Sequence, residues 1–172
     1  MRRLRTSIKQ RKPFESPEQE VFLEVLRTGT ALLQDLVELL KEFGITQPQY
    51  NVLRILRGAG AAGLPSGEVG GRMVASREPD VTRLLVRMEG RGLIRRDRRP
   101  ENRRVVTARL TDKGLRLVNA LDEPVRRMHM RQLHHMSRRE LDTLATLLER
   151  ARREPDVEAP GPRARAGSAG EP

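Results

Sequence analysis

The 172-residue chain has no cysteine and no tryptophan, one tyrosine, three phenylalanines, and no apolar run approaching a membrane span. Without cysteine there can be no disulfide, no thiol nucleophile and no cysteine redox switch; the absence is compatible with a reducing compartment. A membrane helix needs ~18 or more consecutive apolar residues, so none is expected. The basic N-terminus lacks the apolar segment of a secretory signal. With Phe14, Phe22, Phe43 and Tyr50 as the whole aromatic complement, the core must be built from Leu, Val, Met and Ala. No paired carboxylates and no Ser-His-Asp arrangement stand out. The run Gly67-Glu68-Val69-Gly70-Gly71 lacks the lysine and the preceding strand of a phosphate-binding loop. The expectation is a protein that is not an enzyme and carries no cofactor.

What the chain does have is positive charge. Its 34 Lys and Arg outnumber 23 Asp and Glu, for a net charge of +11. Residues 1–13 contribute +6 and residues 154–172 contribute −2, which leaves +7 on the body between them. A folded part that stays basic without its tails points towards nucleic acid. Residues 1–15 are expected to be a disordered basic arm, and 154–172, rich in Pro, Gly, Ala and Arg, a disordered tail.

Between the tails the apolar periodicity is helical. Phe22, Val25, Leu26, Leu32, Leu33, Leu36, Leu39, Leu40 and Phe43 recur at spacings of three and four, which predicts a helix over 16–44. Ser16 is its N-cap, Pro17 its first residue and Gly44 its stop. Such a helix spans about 40 Å at ~1.5 Å per residue, more than one small core can cover. Thr46-Gln47-Pro48-Gln49 forms a capping box that opens a second helix, to about Leu56. The stretch from Gly58 to Gly63 reads as a linker. Ser66 caps a short helix to about Met73, and Pro79 starts another that ends near Glu89. Two apolar runs flanking Arg99-Pro100-Glu101-Asn102 form a hairpin. Thr111 caps a long helix over 112–134, kinked by Pro124. Ser137-Arg138-Arg139-Glu140 is a second capping box, opening a last helix that carries Leu141, Leu144, Leu147 and Leu148.

Helix, linker, short helix, tight connection, helix, basic hairpin is the order of a winged helix-turn-helix, in which the second helix of the pair enters the major groove. On a helical wheel Val81, Leu84, Leu85 and Met88 share one side of 79–89. Pro79, Thr82, Arg83 and Val86 lie opposite, with Arg87 at the margin and Arg77 just ahead. Arg83 could contact guanine in bidentate fashion, Thr82 a base or a phosphate, and Val86 a thymine methyl. The competing reading is a solvated face in which Arg83 and Arg87 pair with Glu89 or Glu78. Six arginines crowd the hairpin: Arg95, Arg96, Arg98, Arg99, Arg103 and Arg104. Only Asp97 and Glu101 lie within it to neutralise them, and an arginine at such a tip suits a narrow minor groove. His129, His134 and His135 lie near the end of a helix, where a surface or structural role outweighs metal binding. No metal site is expected.

These residues resemble the MarR family of bacterial winged-helix regulators over about 17–153. The segment 45–53 looks like the family's second helix. The segment from Asp80 through Arg96 looks like its recognition helix and entry to the wing. The segment Asn102-Arg103-Arg104-Val105-Val106-Thr107-Ala108-Arg109-Leu110-Thr111-Asp112-Lys113-Gly114 looks like the wing's return. The family usually carries Asp where this chain has Asn102; that Asp orients the wing arginines by ion pairing, whereas Asn can only hydrogen-bond.

The resemblance implies a mainly α fold with a small β-wing (α+β) and an intertwined homodimer. Helix 16–44 and helices 111–153 would form the dimerisation part, and 45–110 the DNA-binding domain. It also implies double-stranded DNA with a pseudo-palindromic site, repression of its own or neighbouring genes, cytoplasmic location, and release by a small, often aromatic, acid. Phe43 and Tyr50 are candidates to line the crevice for such an effector, with ordinary core packing as the competing role. The rival function is a helical-dimer interaction or architectural module that binds nucleic acid through charge alone.

Overall fold

The computed structural model describes residues 6–7, 9–73, 78–99 and 102–152; of 78–80, 98–99 and 102–104 only the backbone is described. From residue 17 the described elements follow in the order α1 (Pro17–Glu42), α2 (Gln47–Ala59), a 3-10 turn (Gly60–Ala62), β1 (Leu64–Pro65), α3 (Ser66–Gly71), α4 (Glu78–Gly90), β2 (Ile94–Arg99), β3 (Asn102–Leu110), α5 (Asp112–Ala120), α6 (Asp122–Leu133) and α7 (Arg138–Arg152). The described residues up to 132 and those from 133 on fall into two compact units. None of the described helices is long and apolar enough to cross a membrane.

The helix ends follow the caps. Ser16 Oγ accepts the Gln19 N–H, and Pro17 needs no partner for the N–H it lacks. Gly44 adopts φ +66°, and the Ile45 N–H returns to the Leu40 carbonyl. The Thr46–Gln49 capping box is closed in both directions. Helix α2 runs three residues past Leu56, the boundary expected from sequence, and ends at Gly60.

Two expectations need correction. Ser66 is not an N-cap: it is the first residue of α3, and its hydroxyl donates to the Val106 carbonyl at 3.0 Å, tying the short helix to β3. The helix expected over 112–134 is two helices, broken at Leu121 rather than kinked at Pro124. Breaking there places Pro124 in the first turn of α6, where a missing N–H sacrifices no intrahelical bond and the ring meets no preceding turn.

The glycine-rich linker also contains structure. Leu64 and Pro65 pair with Ala108 and Thr107, making a three-stranded antiparallel sheet of order β1-β3-β2. Gly63, at φ +66°, makes the turn possible, since a Cβ there would lie 2.3 Å from the Ala108 carbonyl oxygen. A strand therefore does precede the Gly67–Gly71 run, although the lysine of a phosphate loop is still missing.

The core is aliphatic. Leu40, Val52, Leu53, Leu56, Val69, Leu85, Met88, Leu93, Ile94, Val118 and Leu121 are fully buried. It joins the C-terminal end of α1 to α2–α5, the wing base and α6. Of the long helix α1 only Leu40 is buried, while Val21, Phe22, Val25, Leu26 and Leu33 remain exposed. Gln132 Nε2 fastens the end of α6 to the middle of α1, donating to the Leu32 carbonyl at 2.9 Å and to Asp35 at 3.1 Å. In the second unit, Ser137 and Glu140 close the expected capping box on α7. Leu141, Leu144 and Leu148 are half-buried there, and Leu147 is exposed.

Candidate nucleic-acid interface

Helix α4 buries one side and exposes the other. Val81, Leu84, Leu85 and Met88 are buried, whereas Thr82, Arg83, Val86 and Arg87 are exposed. The apolar stripe pins the helix on α3 and the core; what remains outside is a hydroxyl, a branched methyl pair and two guanidinium groups. Arg83 and Arg87 pair with no acid among the described residues. Glu89, one of their two expected partners, is committed elsewhere, to Arg96. Val86 is 48% exposed although β-branched and apolar. Arg77 lies outside the described residues, as do the side chains of Glu78, Pro79, Arg98, Arg99, Arg103 and Arg104.

The wing is a two-stranded ribbon in the register Ile94↔Leu110, Arg95↔Arg109, Arg96↔Ala108, Asp97↔Thr107 and Arg98↔Val106, with an irregularity between Arg98 and Arg99. Alternation divides its base into two faces. On one, Ile94 and Ala108 join the core and Arg96 turns to α4. On the other, Asp97 accepts from Arg109 Nη1 at 2.5 Å and lies 3.7 Å from Arg95 Nε. Arg109 Nε also donates to the Ala61 carbonyl at 3.1 Å, so β3 is tied to the 3-10 turn. The arginine cluster is therefore not uniform. Arg96 and Arg109 brace the base of the wing, and Arg95, 65% exposed, is held only at the margin of an ion pair.

Three more braces escaped the sequence. Arg91, just past α4, donates to Gln49 Oε1 at 3.2 Å and to the Gly44 carbonyl at 2.8 Å, joining the end of that helix to the α1–α2 turn. Arg57 grips Asp122 through both terminal guanidinium nitrogens, at 2.7 and 2.8 Å, and reaches Asn119 at 2.9 Å, joining α2 to the α5–α6 junction. This hydrogen bonding holds the Asp122 carboxyl below its ordinary pKa. Lys113 Nζ donates to the Arg91 carbonyl at 2.9 Å. No periodicity marks such residues, because each pairs across a sequence gap that only folding closes.

Phe43 is half-buried against the core, and Tyr50 is 4% exposed. Burial raises the pKa of the Tyr50 phenol, and the Arg54 guanidinium stands 5.7 Å from its ring centre. A cavity of about 280 Å³ lies elsewhere, behind the wing, where Leu56, Leu110 and Leu115 meet Arg57, Arg95 and Arg109; neither ring lines it. Among the described residues no group of three or more His, Asp or Glu is placed to hold a metal ion. The rings of His134 and His135 stand edge to face, 5.8 Å apart.

An exposed polar and basic helix face, set beside an arginine-rich ribbon on a helix-turn-helix core, defines the class of winged-helix DNA-binding transcription regulators. The MarR family model matches residues 45–106. A MarR transcription factor from Planctomyces limnophilus, of known crystal structure, is 42% identical; the alignment covers 80% of this chain and 98% of that one, with a TM-score of 0.62. The chain belongs to the MarR family and is a DNA-binding transcriptional regulator. It is also similar to the PcaV regulator of Streptomyces coelicolor, solved in complex with its natural ligand, at 29% identity over 72% of this chain and 87% of that one (TM-score 0.62). The HTH-type transcriptional repressor IacR of Pseudomonas putida is 27% identical over 128 residues, 74% of this chain and 75% of the relative.

Proposed function

We propose that this regulator is a cytoplasmic, homodimeric repressor that reads a pseudo-palindromic duplex through α4 and clamps it with the wing. The reading is carried by one observation: Arg83 and Arg87, with Thr82 and Val86 between and beside them, stand exposed on the side of α4 opposite its buried stripe. In this assignment Thr82, Arg83, Val86 and Arg87 contact base edges, and Arg77 and Pro79 lie at the entry of the helix. Arg98, Arg99, Arg103 and Arg104 serve phosphates and the minor groove. Residues 45–110 form the DNA-binding domain; 16–44 and 111–153 form the dimerisation part. Repression accords with the role named for IacR. No catalytic role is proposed.

A small-molecule effector fits the reading, since the similar PcaV regulator has a natural ligand. Phe43, half-buried near the α1–α2 turn, has surface to offer such a molecule, whereas Tyr50 is nearly all core.

The test is a division of labour between helix and wing. With a duplex selected from a random pool, Arg83→Ala should lower affinity about tenfold and relax the preferred sequence. Arg99→Ala should weaken selected and random duplexes alike and make the salt dependence shallower by about one unit of slope. Equal behaviour of the two variants overturns the assignment. Equal affinity of the wild-type protein for selected and random duplex, lost at high salt, favours the rival architectural function.

A further inference from the structure

Glu89 is the penultimate residue of α4, and both its carboxylate oxygens are engaged by one residue of β2. Oε1 accepts the Arg96 backbone N–H at 2.9 Å. Oε2 accepts Arg96 Nε and stands against Nη2, each at 2.8 Å. The pair is partly withdrawn from water, with side chains 37% and 23% exposed. It spans the turn 91–93, which is itself held by Gly92 N–H to Glu89 O at 2.8 Å and Leu93 N–H to Met88 O at 3.0 Å. The carboxylate thus bonds the main chain of the wing and the head group of its arginine at the same time.

Two consequences follow. The first is alignment. A bond to the main chain fixes where β2 leaves relative to α4, while the fork to Nε and Nη2 fixes a rotation about that point. The exposed face of α4 and the wing then meet a duplex in a set relation, and the ordering cost falls on folding rather than on binding. The second is charge. Arg96 is one of six arginines around the wing, yet its charge is matched at contact distance by Glu89. Freed from that partner, Arg96 would add attraction for any phosphate backbone, irrespective of sequence.

We infer that Glu89 is a specificity-determining positioning residue: it touches no DNA, but by holding Arg96 it aligns the wing with the reading helix and withholds one cation from non-specific binding. This rests on the assignment of the exposed α4 face to base readout, which Arg83→Ala tests separately.

The experiment compares Glu89→Gln, Arg96→Gln and the double variant on a selected and a random duplex across a salt series. Circular dichroism and a melting curve verify folding at the assay temperature. Glu89→Gln keeps an oxygen for the Arg96 N–H but turns an amide donor towards the guanidinium. It should weaken the selected duplex about 5- to 30-fold, bind the random duplex as well as or better than wild type, and steepen the salt slope by up to about 0.9. Arg96→Gln leaves the Arg96 N–H bond in place and frees a carboxylate. It should lose a similar factor on the selected duplex but also weaken the random one. The double variant, neutral like the native pair, should lose only on the selected duplex.

Loss on the selected duplex in all three variants, beside opposite movement of the two single variants on random DNA, is a combination that neither a purely stabilising ion pair nor a change of net charge would produce. If folded Glu89→Gln keeps the wild-type ratio of selected to random affinity, the inference fails, and it fails alone when Arg83→Ala still loses preference. Should Glu89→Gln not fold, Arg96→Gln decides by itself: an unchanged ratio overturns the proposal and a reduced one supports it.

Discussion

Gly114 shows how much one residue can settle. It lies in the first turn of α5, where the Thr111 hydroxyl accepts its N–H at 3.1 Å and donates to the Gly92 and Leu93 carbonyls. A Cβ at this position would stand 2.1 Å from the Leu93 carbonyl oxygen. The helix that follows the wing therefore rests directly on the residue that leads into β2, main chain to main chain. Gly114→Ala relieves no left-handed strain, because the backbone is helical, and it can only push the two elements apart. The expected cost is about 1–3 kcal/mol of stability, as for other overpacked sites, read from denaturant unfolding. A variant as stable as wild type would mean that the contact yields freely. Sequence alone placed Gly114 in a first helical turn, where a glycine lowers helix propensity for no visible reason; the reason is a neighbour some twenty residues earlier.

At the scale of elements, buried charge chemistry matters less than where surface pairs are anchored. Arg57 and Asp122 are 31% and 55% exposed, so water screens their attraction. Their value is geometric, since a two-point grip joins α2 to the junction at which α5 gives way to α6. The Asp122 carboxyl is held below its ordinary pKa chiefly by hydrogen bonding to Arg57. A group lowered in this way binds fewer protons folded than unfolded near pH 4. Its contribution is therefore present above the ordinary carboxylate range, about pH 4, and disappears as the pH falls through the lower folded value. Asp122→Asn should reduce stability at neutral pH and flatten its decline on acidification, measured by urea unfolding at a series of pH values. A variant that keeps the wild-type acid slope would assign that slope to other carboxylates, such as Glu123 and Glu140, which are lowered too.

Elements were legible from sequence where periodicity and caps coincide. The N-caps Ser16, Thr46 and Thr111 stand where the first residues of their helices require a side-chain acceptor. Strand β1 and the role of Ser66 were not legible, because a two-residue strand has no period and a hydroxyl before a helix looks like a cap until β3 offers it a carbonyl. The exposed face of α4 was legible because one wheel separates its leucines from its arginines. The bracing of Arg96 and Arg109 was not, because strand alternation states which residues share a face but not which acid waits beside it.

For the whole molecule, the unfinished business is α1. Val21, Phe22, Val25, Leu26 and Leu33 are 45–65% exposed along one helix, an arrangement that a lone subunit leaves in water. In the proposed homodimer these side chains lie against the partner, and two reading helices are carried together. Phe22→Asp combined with Leu26→Asp should turn a dimer into a monomer in sedimentation velocity at micromolar concentration. It should also lower affinity for a selected duplex by at least about tenfold, since the second half-site no longer binds as part of the same particle. A wild-type monomer, or a variant that stays dimeric, would remove α1 from the interface.

By itself the sequence determined the helices, the hairpin, the basic character and the side of α4 that faces outwards, because caps, apolar period and charge are local properties written within a few residues of one another. Only the tertiary structure decided which of the described arginines are spent as braces, where the long C-terminal helix breaks, and why glycine occupies 63 and 114. Those outcomes depend on carbonyls and carboxylates brought together from distant positions, and a pairing that forms only when the chain closes on itself leaves no periodic trace along it.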